Sequence, residues 1–242
     1  MKRFTTLLPA LLPVIISAQN IQLHYDFGQP ENGPKRNFFV STFELFRPDT
    51  LGYTFLFTDF EFDSPDKPRG TSLGYFEISR SFNILTPNKS NPFNHLMLRL
   101  EYNDGSAIFA TDDSTILGAN LYSSWLGGIE YSLVSGNLSL NFMAQYKYIR
   151  GSSAPDMQFT IVWYYQLFRN RLTLTGYIDI WSQDDFFHDR KNKIPVYYSE
   201  PQFWWNINNH LSVGSEIKIS KNFFEGSKRI EAFPTLGAKW EF

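Results

Sequence analysis

With 22 basic against 24 acidic side chains, this 242-residue chain lacks the positive charge that binding a nucleic-acid backbone requires. It has no cysteine, which excludes disulfides and thiolate chemistry. Mean hydropathy is −0.29 although 18% of residues are aromatic, and a water-soluble core of this size has too little interior for 24 Phe, 13 Tyr and 6 Trp.

The N-terminus has the layout of a cleaved secretory signal. Lys2 and Arg3 precede an apolar run over 7–16, and Ile16-Ser17-Ala18 supplies the small residues of a cleavage site. The run is too short, and too interrupted by Pro9 and Pro13, to cross a membrane as a helix. Cleavage is expected near Ala18, which makes 1–18 a signal peptide and 19–242 the mature domain. Removing Lys2 and Arg3 leaves 20 basic against 24 acidic residues.

Apolar and polar residues then alternate with a period of two, the mark of a strand with two unlike faces. The alternating runs fall at about 21–27, 36–46, 51–62, 71–82, 94–104 and 116–134, then 137–149, 156–168, 171–182, 196–207, 210–220 and 231–242. Every second connection is short: 47–50, 135–136, 169–170 and 208–209, with 83–93 as a longer exception rich in Pro and Asn. The other set, 28–35, 63–70, 104–115, 150–155, 183–195 and 221–230, is longer and charged. Short turns at one end and long loops at the other are the pattern of an outer-membrane β-barrel. An immunoglobulin-like sandwich would mix loop lengths at both ends. The expected fold is therefore all-β, an antiparallel transmembrane barrel of about twelve strands. In the last run Phe242, Trp240, Ala238, Leu236, Pro234 and Ala232 share one face, and the chain ends on an aromatic. This looks like the closing strand that outer-membrane barrels offer to the barrel-assembly machinery.

Lipid tolerates apolar side chains and penalises a charge at mid-bilayer by roughly 2–4 kcal/mol for a base and somewhat less for an acid, so charged residues mark the inner face. On 51–62, Asp59 and Glu61 lie on the face of Tyr53, Phe55 and Phe57, and they carry those rings inward. Glu44 and Glu77 point inward by the same argument and bring Phe38 and Tyr75 with them. Arg99 and Glu101 oppose Leu98 and Leu100, and Asp179 opposes Ile178 and Ile180. Asp26, Glu44, Asp59, Glu61, Glu77, Glu101, Glu130, Asp179 and Glu216 outnumber His24, Arg99, Lys147 and Lys218, so the lumen is acidic and suits neutral or cationic solutes. Rings beside carboxylates combine stacking with hydrogen bonding, a surface for flat polar molecules. The plainer reading has the same rings only filling a narrow barrel.

The run Arg36-Asn-Phe-Phe-Val-Ser-Thr-Phe-Glu-Leu-Phe-Arg-Pro-Asp-Thr-Leu-Gly-Tyr-Thr-Phe-Leu-Phe-Thr-Asp-Phe-Glu-Phe-Asp63 is similar to the first hairpins of the nucleoside-specific channel (Tsx-like) outer-membrane family. Gly74-Tyr-Phe-Glu-Ile-Ser-Arg-Ser-Phe82 resembles a Glu-x-x-x-Arg/Phe strand of that family, and the chain looks like a Bacteroidetes branch of it. Beyond about residue 82 only the general pattern is shared. The resemblance implies a monomeric barrel of the Gram-negative outer membrane, set in lipid, that lets nucleosides diffuse through a narrow lumen without a cofactor or metal. It implies Tyr53, Phe55 and Phe57 stacking on the base, and Glu44, Asp59, Glu61 and Glu77 accepting hydrogen bonds from the solute. Arg99, Glu101 and Asp179 complete the expected lumen set. Arg80, three residues from Glu77, falls on the opposite face and departs from the family's register.

Two other classes stay open. A lipase- or protease-like outer-membrane hydrolase would need His24 beside Asp26, or the loop group Asp184, Asp185, His188 and Asp189, which could equally hold a divalent cation. A plugged barrel with a structural or interaction role would conduct nothing.

Overall fold

Aromatic and β-branched residues on alternating positions favour extended chain, and polar turns separate them. In the computed structural model, which describes residues 18–29, 36–62, 70–85, 92–110, 116–185, 192–223 and 229–242, they form a single antiparallel sheet closed on itself. Its strands are β1 (Ala18–Asp26), β2 (Phe38–Asp49), β3 (Gly52–Phe62), β4 (Thr71–Asn83), β5 (Leu96–Ala110), β6 (Ile116–Ser135) and β7 (Leu138–Ile149). The second half adds β8 (Asp156–Leu167), β9 (Leu172–Asp184), β10 (Lys193–Ser199), β11 (Gln202–Asn206), β12 (Leu211–Lys221) and β13 (Glu231–Glu241). From β1 to β9 each strand pairs with the next, and β13 closes the ring by pairing with both β12 and β1. Closure leaves no sheet edge, which a strand surrounded by lipid requires.

The expected run 196–207 is two pieces. β10 and β11 both pair with β9 and with β12, so together they occupy one position and the barrel has twelve staves. The break falls at Glu200-Pro201, where proline has no N–H to give the ladder. Opposite it stands Gly176, at φ 145°, where a Cβ would lie 2.4 Å from the Glu200 carbonyl oxygen. The expected loop over 104–115 is largely strand: β5 passes an irregularity between Asn103 and Gly105 and continues to Ala110. The β5–β6 hairpin is therefore far longer than the 9–11 residues needed to span a bilayer. The exceptional connection 83–93 leads into one 3₁₀ turn, Pro92–His95.

Three short turns fall within about a residue of 135–136, 169–170 and 208–209, whereas the expected turn 47–50 is mostly strand, β2 pairing with β3 through Asp49 and leaving only Thr50 and Leu51 between them. Gly136 takes φ 58°, and Phe168, Arg169 and Asn170 take φ of 51–66°, the left-handed backbone that a tight hairpin demands. Both ends of the closing pair lie at this end, with the Phe242 N–H donating to the Gln19 carbonyl at 3.1 Å. Outward faces are apolar and uncovered: Leu100, Ile129, Phe159 and Phe203 are each at least 45% exposed. On a protein in water such a band would be an aggregation surface; against acyl chains it is the required solvent-facing side. Aromatics collect at its margins. Tyr102, Trp125 and Tyr148 form one cross-strand row toward the long-loop end, while Trp205, Trp240 and Phe242 lie toward the short-turn end.

Candidate functional site: the barrel interior

Cross-strand partners share a face, so the register fixes what points inward. Glu44, Phe57, Glu77 and Asn103 lie side by side across β2 to β5. Asp59 pairs with Tyr75, Phe55 with Ser79 and then Glu101, and Tyr53 with Ser81 and then Arg99. Glu61 follows Asp59 on the same face, and Asp179 lies between Thr160 and Tyr198 on the opposite wall. All ten of the candidate lumen residues thus face the interior, whereas Arg80 lies outside and bonds to Thr54 and Asp49. His24, Asp26, Glu130 and Lys147 face inward as well.

Most of this interior is packed and paired. Arg99 donates twice to Glu101, at 3.0 and 2.8 Å, and reaches Glu130 at 3.4 Å. Tyr53 and Ser81 donate to the same Glu130 at 2.5 and 2.7 Å, so its buried carboxylate is fully engaged. Lys218 of β12 spans the lumen to Asp59 of β3, four staves away, at 3.4 Å, with Glu200 at 3.7 Å and Glu216 at 3.8 Å. Thr42 also donates to Asp59. Near the long-loop end Arg36 joins Asp26 at 2.7 Å to Glu61 at 3.2 Å and lies over the rings of Phe38 and Phe233. There too Lys193 bridges Asp156 and Asp184, while Ile149, Trp181 and Val196 form a small apolar cluster. Around the seam Trp204 is wholly buried, with His24 edge-on at 5.5 Å and the Lys239 ammonium 5.0 Å from its ring.

One inner belt differs. Glu44, Glu77 and Asp179 are only partly buried, and among the described residues none of them is in a salt bridge. Asn20 donates to Glu44 at 2.9 Å, Tyr75 donates to Glu77 at 2.6 Å, and Thr160 donates to Asp179. The side chains around them, Phe55, Phe57, Tyr75, Tyr177 and Tyr198, are likewise partly accessible. Glu101 and Asp179 lie close enough to Glu77 to repel its charge, and Lys147 close enough to attract it. Lys147 itself donates to Gln158 at 2.6 Å and sits 4.1 Å over the Trp181 ring. About eight strands enclose just enough room for side chains, and 16–18 leave a wide aqueous pore. With this filling, the partly exposed inward side chains of the belt lie on β2–β4 and on β9 and β10.

The alternative sites resolve differently. His24 hydrogen-bonds Thr235 Oγ1 and Gln22 Oε1, both at 2.9 Å, and so has neither a serine nor an acid as a hydrogen-bond partner. Asp184 is taken by Ser153 and Lys193, while His188 and Asp189 lie outside the described residues. No group of described His, Asp or Glu residues has the spacing to hold a metal ion. Glu200 was missing from the sequence-derived inward set. The Ser199-Glu200-Pro201 step reads as continuous strand, and an acid before a mid-strand proline was the available signal.

The match to known families covers this whole domain, residues 18–242. The chain belongs to the DUF5020 family, described as a domain of unknown function. No curated protein matches it in sequence. Among solved structures, the DUF5020 barrel is similar to a KdgM porin, with TM-score 0.50 and 9% identity over 94% of this chain and 99% of that one. The outer-membrane channel DcaP of Acinetobacter baumannii superposes with TM-score 0.43 and 10% identity, over 94% and 97% of the two chains. The likeness to the KdgM porin is one of fold, a closed porin-like barrel; a Tsx-like relationship does not emerge from these matches.

Proposed function

We propose that this DUF5020 barrel is a passive channel of the Gram-negative outer membrane for small neutral or cationic solutes, with nucleosides the first candidates. The observation that carries the reading is the accessible belt of Glu44, Glu77 and Asp179 among Phe57, Tyr75 and Tyr177 in an interior otherwise closed by paired charges. Partly exposed rings and carboxylates offer a surface that a solute could touch, and a lumen of that sign favours cations over anions. The apolar outer band and its aromatic margins support a location in lipid. The resemblance of 36–82 to nucleoside channels supports flat, hydrogen-bonding solutes, with Phe55 and Phe57 as stacking faces and Glu44 and Glu77 as acceptors.

The test is single-channel conductance of refolded protein in a planar bilayer while adenosine or thymidine is added. Nucleoside-dependent block that Phe57→Ala weakens supports the reading. Conductance indifferent to nucleosides keeps the channel and removes that solute. Folded protein that never conducts removes the channel and favours a plugged barrel, for which the Lys218–Asp59 bridge across the lumen is the structural support.

A further inference from the structure

The inner belt is rich in acceptors and poor in cations. Among the described residues its three carboxylates accept from neutral donors, Asn20, Tyr75 and Thr160 respectively. Directly across the sheet from Glu77, Asn103 is only 7% exposed, yet its side-chain carbonyl oxygen has no partner. Gln145 on β7, one inward position from Lys147, is 1% exposed with neither end of its amide bonded. Buried polar atoms are normally satisfied, and leaving one bare costs free energy that folding must recover elsewhere. Here the bare acceptor lies across from Glu77, which has no ion-pair partner among the described residues; Lys147, whose charge reaches Glu77 and Asp179, donates to Gln158 instead. The chemistry missing from the belt is positive charge carrying several N–H donors.

The missing ion is not a compact metal. The three acids come from β2, β4 and β9, and no group of described acids or histidines has metal-ligand spacing. Between them stand π faces: Phe57 and Tyr75, in edge contact at 6.5 Å, and Tyr177 with Tyr198 at 6.2 Å. Spread carboxylates alternating with ring faces suit a cation that has bulk, because an alkylammonium can meet a ring and an acid at once. Resting on the channel reading, we infer that the belt of Glu44, Glu77, Asp179, Asn103, Phe57 and Tyr75 is a binding site for small organic ammonium ions, and that amine-bearing solutes are the preferred substrates. A nucleoside meets the same surface through its exocyclic amine but brings no charge.

The probe is 1,4-diaminobutane, titrated calorimetrically into the folded full chain in detergent, with butane-1,4-diol as the uncharged control and Mg²⁺ as the inorganic one. The diamine binds, and the diol and Mg²⁺ do not. Glu77→Gln combined with Asp179→Asn weakens diamine binding by at least about tenfold, from lost charge and acceptors together. Asn103→Leu weakens it less, and Arg80→Gln on the outer wall leaves it unchanged. Heat-dependent gel mobility verifies that each variant is folded, and Glu77→Gln alone serves if the pair does not fold. Folded wild-type protein that ignores the diamine, or binds diol or Mg²⁺ as well, overturns the inference, as does undiminished binding by the Glu77/Asp179 variant. Conductance separates the two readings. A channel without diamine binding loses this site and keeps the pore, while diamine binding without conductance keeps the site and loses the pore.

Discussion

Two sets of carboxylates share one lumen and are treated differently. Glu101, Glu130, Asp59 and Glu216 are buried against Arg99 or Lys218 and bonded on several sides. Glu44, Glu77 and Asp179 are partly accessible, accept from Asn20, Tyr75 and Thr160, and form no salt bridge among the described residues. A buried charge without a partner is too costly to keep, so the first set belongs to the architecture. The second set is partly accessible, and a carboxylate that water can reach needs no fixed cation; on the channel reading a solute takes that water's place. Charge in this barrel therefore divides by pairing: paired acids hold the staves together, and on the channel reading the unpaired acids face the solute.

That division can be broken by substitution. The largest effect is expected for Arg99→Ala, which strands Glu101 and Glu130 together. Removing one partner of a buried pair costs about 3–5 kcal/mol, to be read from urea unfolding of the lipid-embedded barrel. A loss below about 1 kcal/mol would erase the contrast between the two sets. Trp204→Ala comes next, at roughly 3 kcal/mol, because a wholly buried ring leaves a cavity among His24, Gln202 and Lys239. The same change widens the seam side of the lumen, so conductance should rise as stability falls. Glu77→Gln should cost less than about 1 kcal/mol, since no ion pair is lost, while reducing the preference for cations. Arg80→Gln, on the outside wall beside Asp49, should leave both the unfolding midpoint and the selectivity unchanged.

How much of this was legible in the sequence follows from the range of each interaction. Strand positions, the two loop classes and the inward faces depend on residues two apart, so alternation alone places Glu44, Asp59, Glu77 and Asp179 inside. The alternation also supplied the sign of the lumen. Pairing was out of reach, because it depends on which staves face each other across the barrel: Lys218 and Asp59 are 159 residues apart, and Tyr53 and Glu130 are 77 apart. Single-strand reading therefore treated all the acids as one set and could not tell the stapled ones from the free ones. The break at Glu200-Pro201 was hidden because both flanks keep the strand's alternation. The extension of β5 was hidden because Asp104-Gly105 has the composition of a turn while sitting at a bulge. The nucleoside assignment drew on residues 36–82 alone, and half of its acids, Asp59 and Glu61, turn out to be engaged by Lys218 and Arg36.

The most direct test of the division between paired and unpaired charge is the reversal potential of single channels under a KCl gradient, for wild type and for Glu77→Gln/Asp179→Asn. The account predicts a cation-selective wild type, and a variant that conducts with its reversal potential moved toward zero. Anion selectivity in the wild type, or a reversal potential that the double substitution leaves in place, would contradict it.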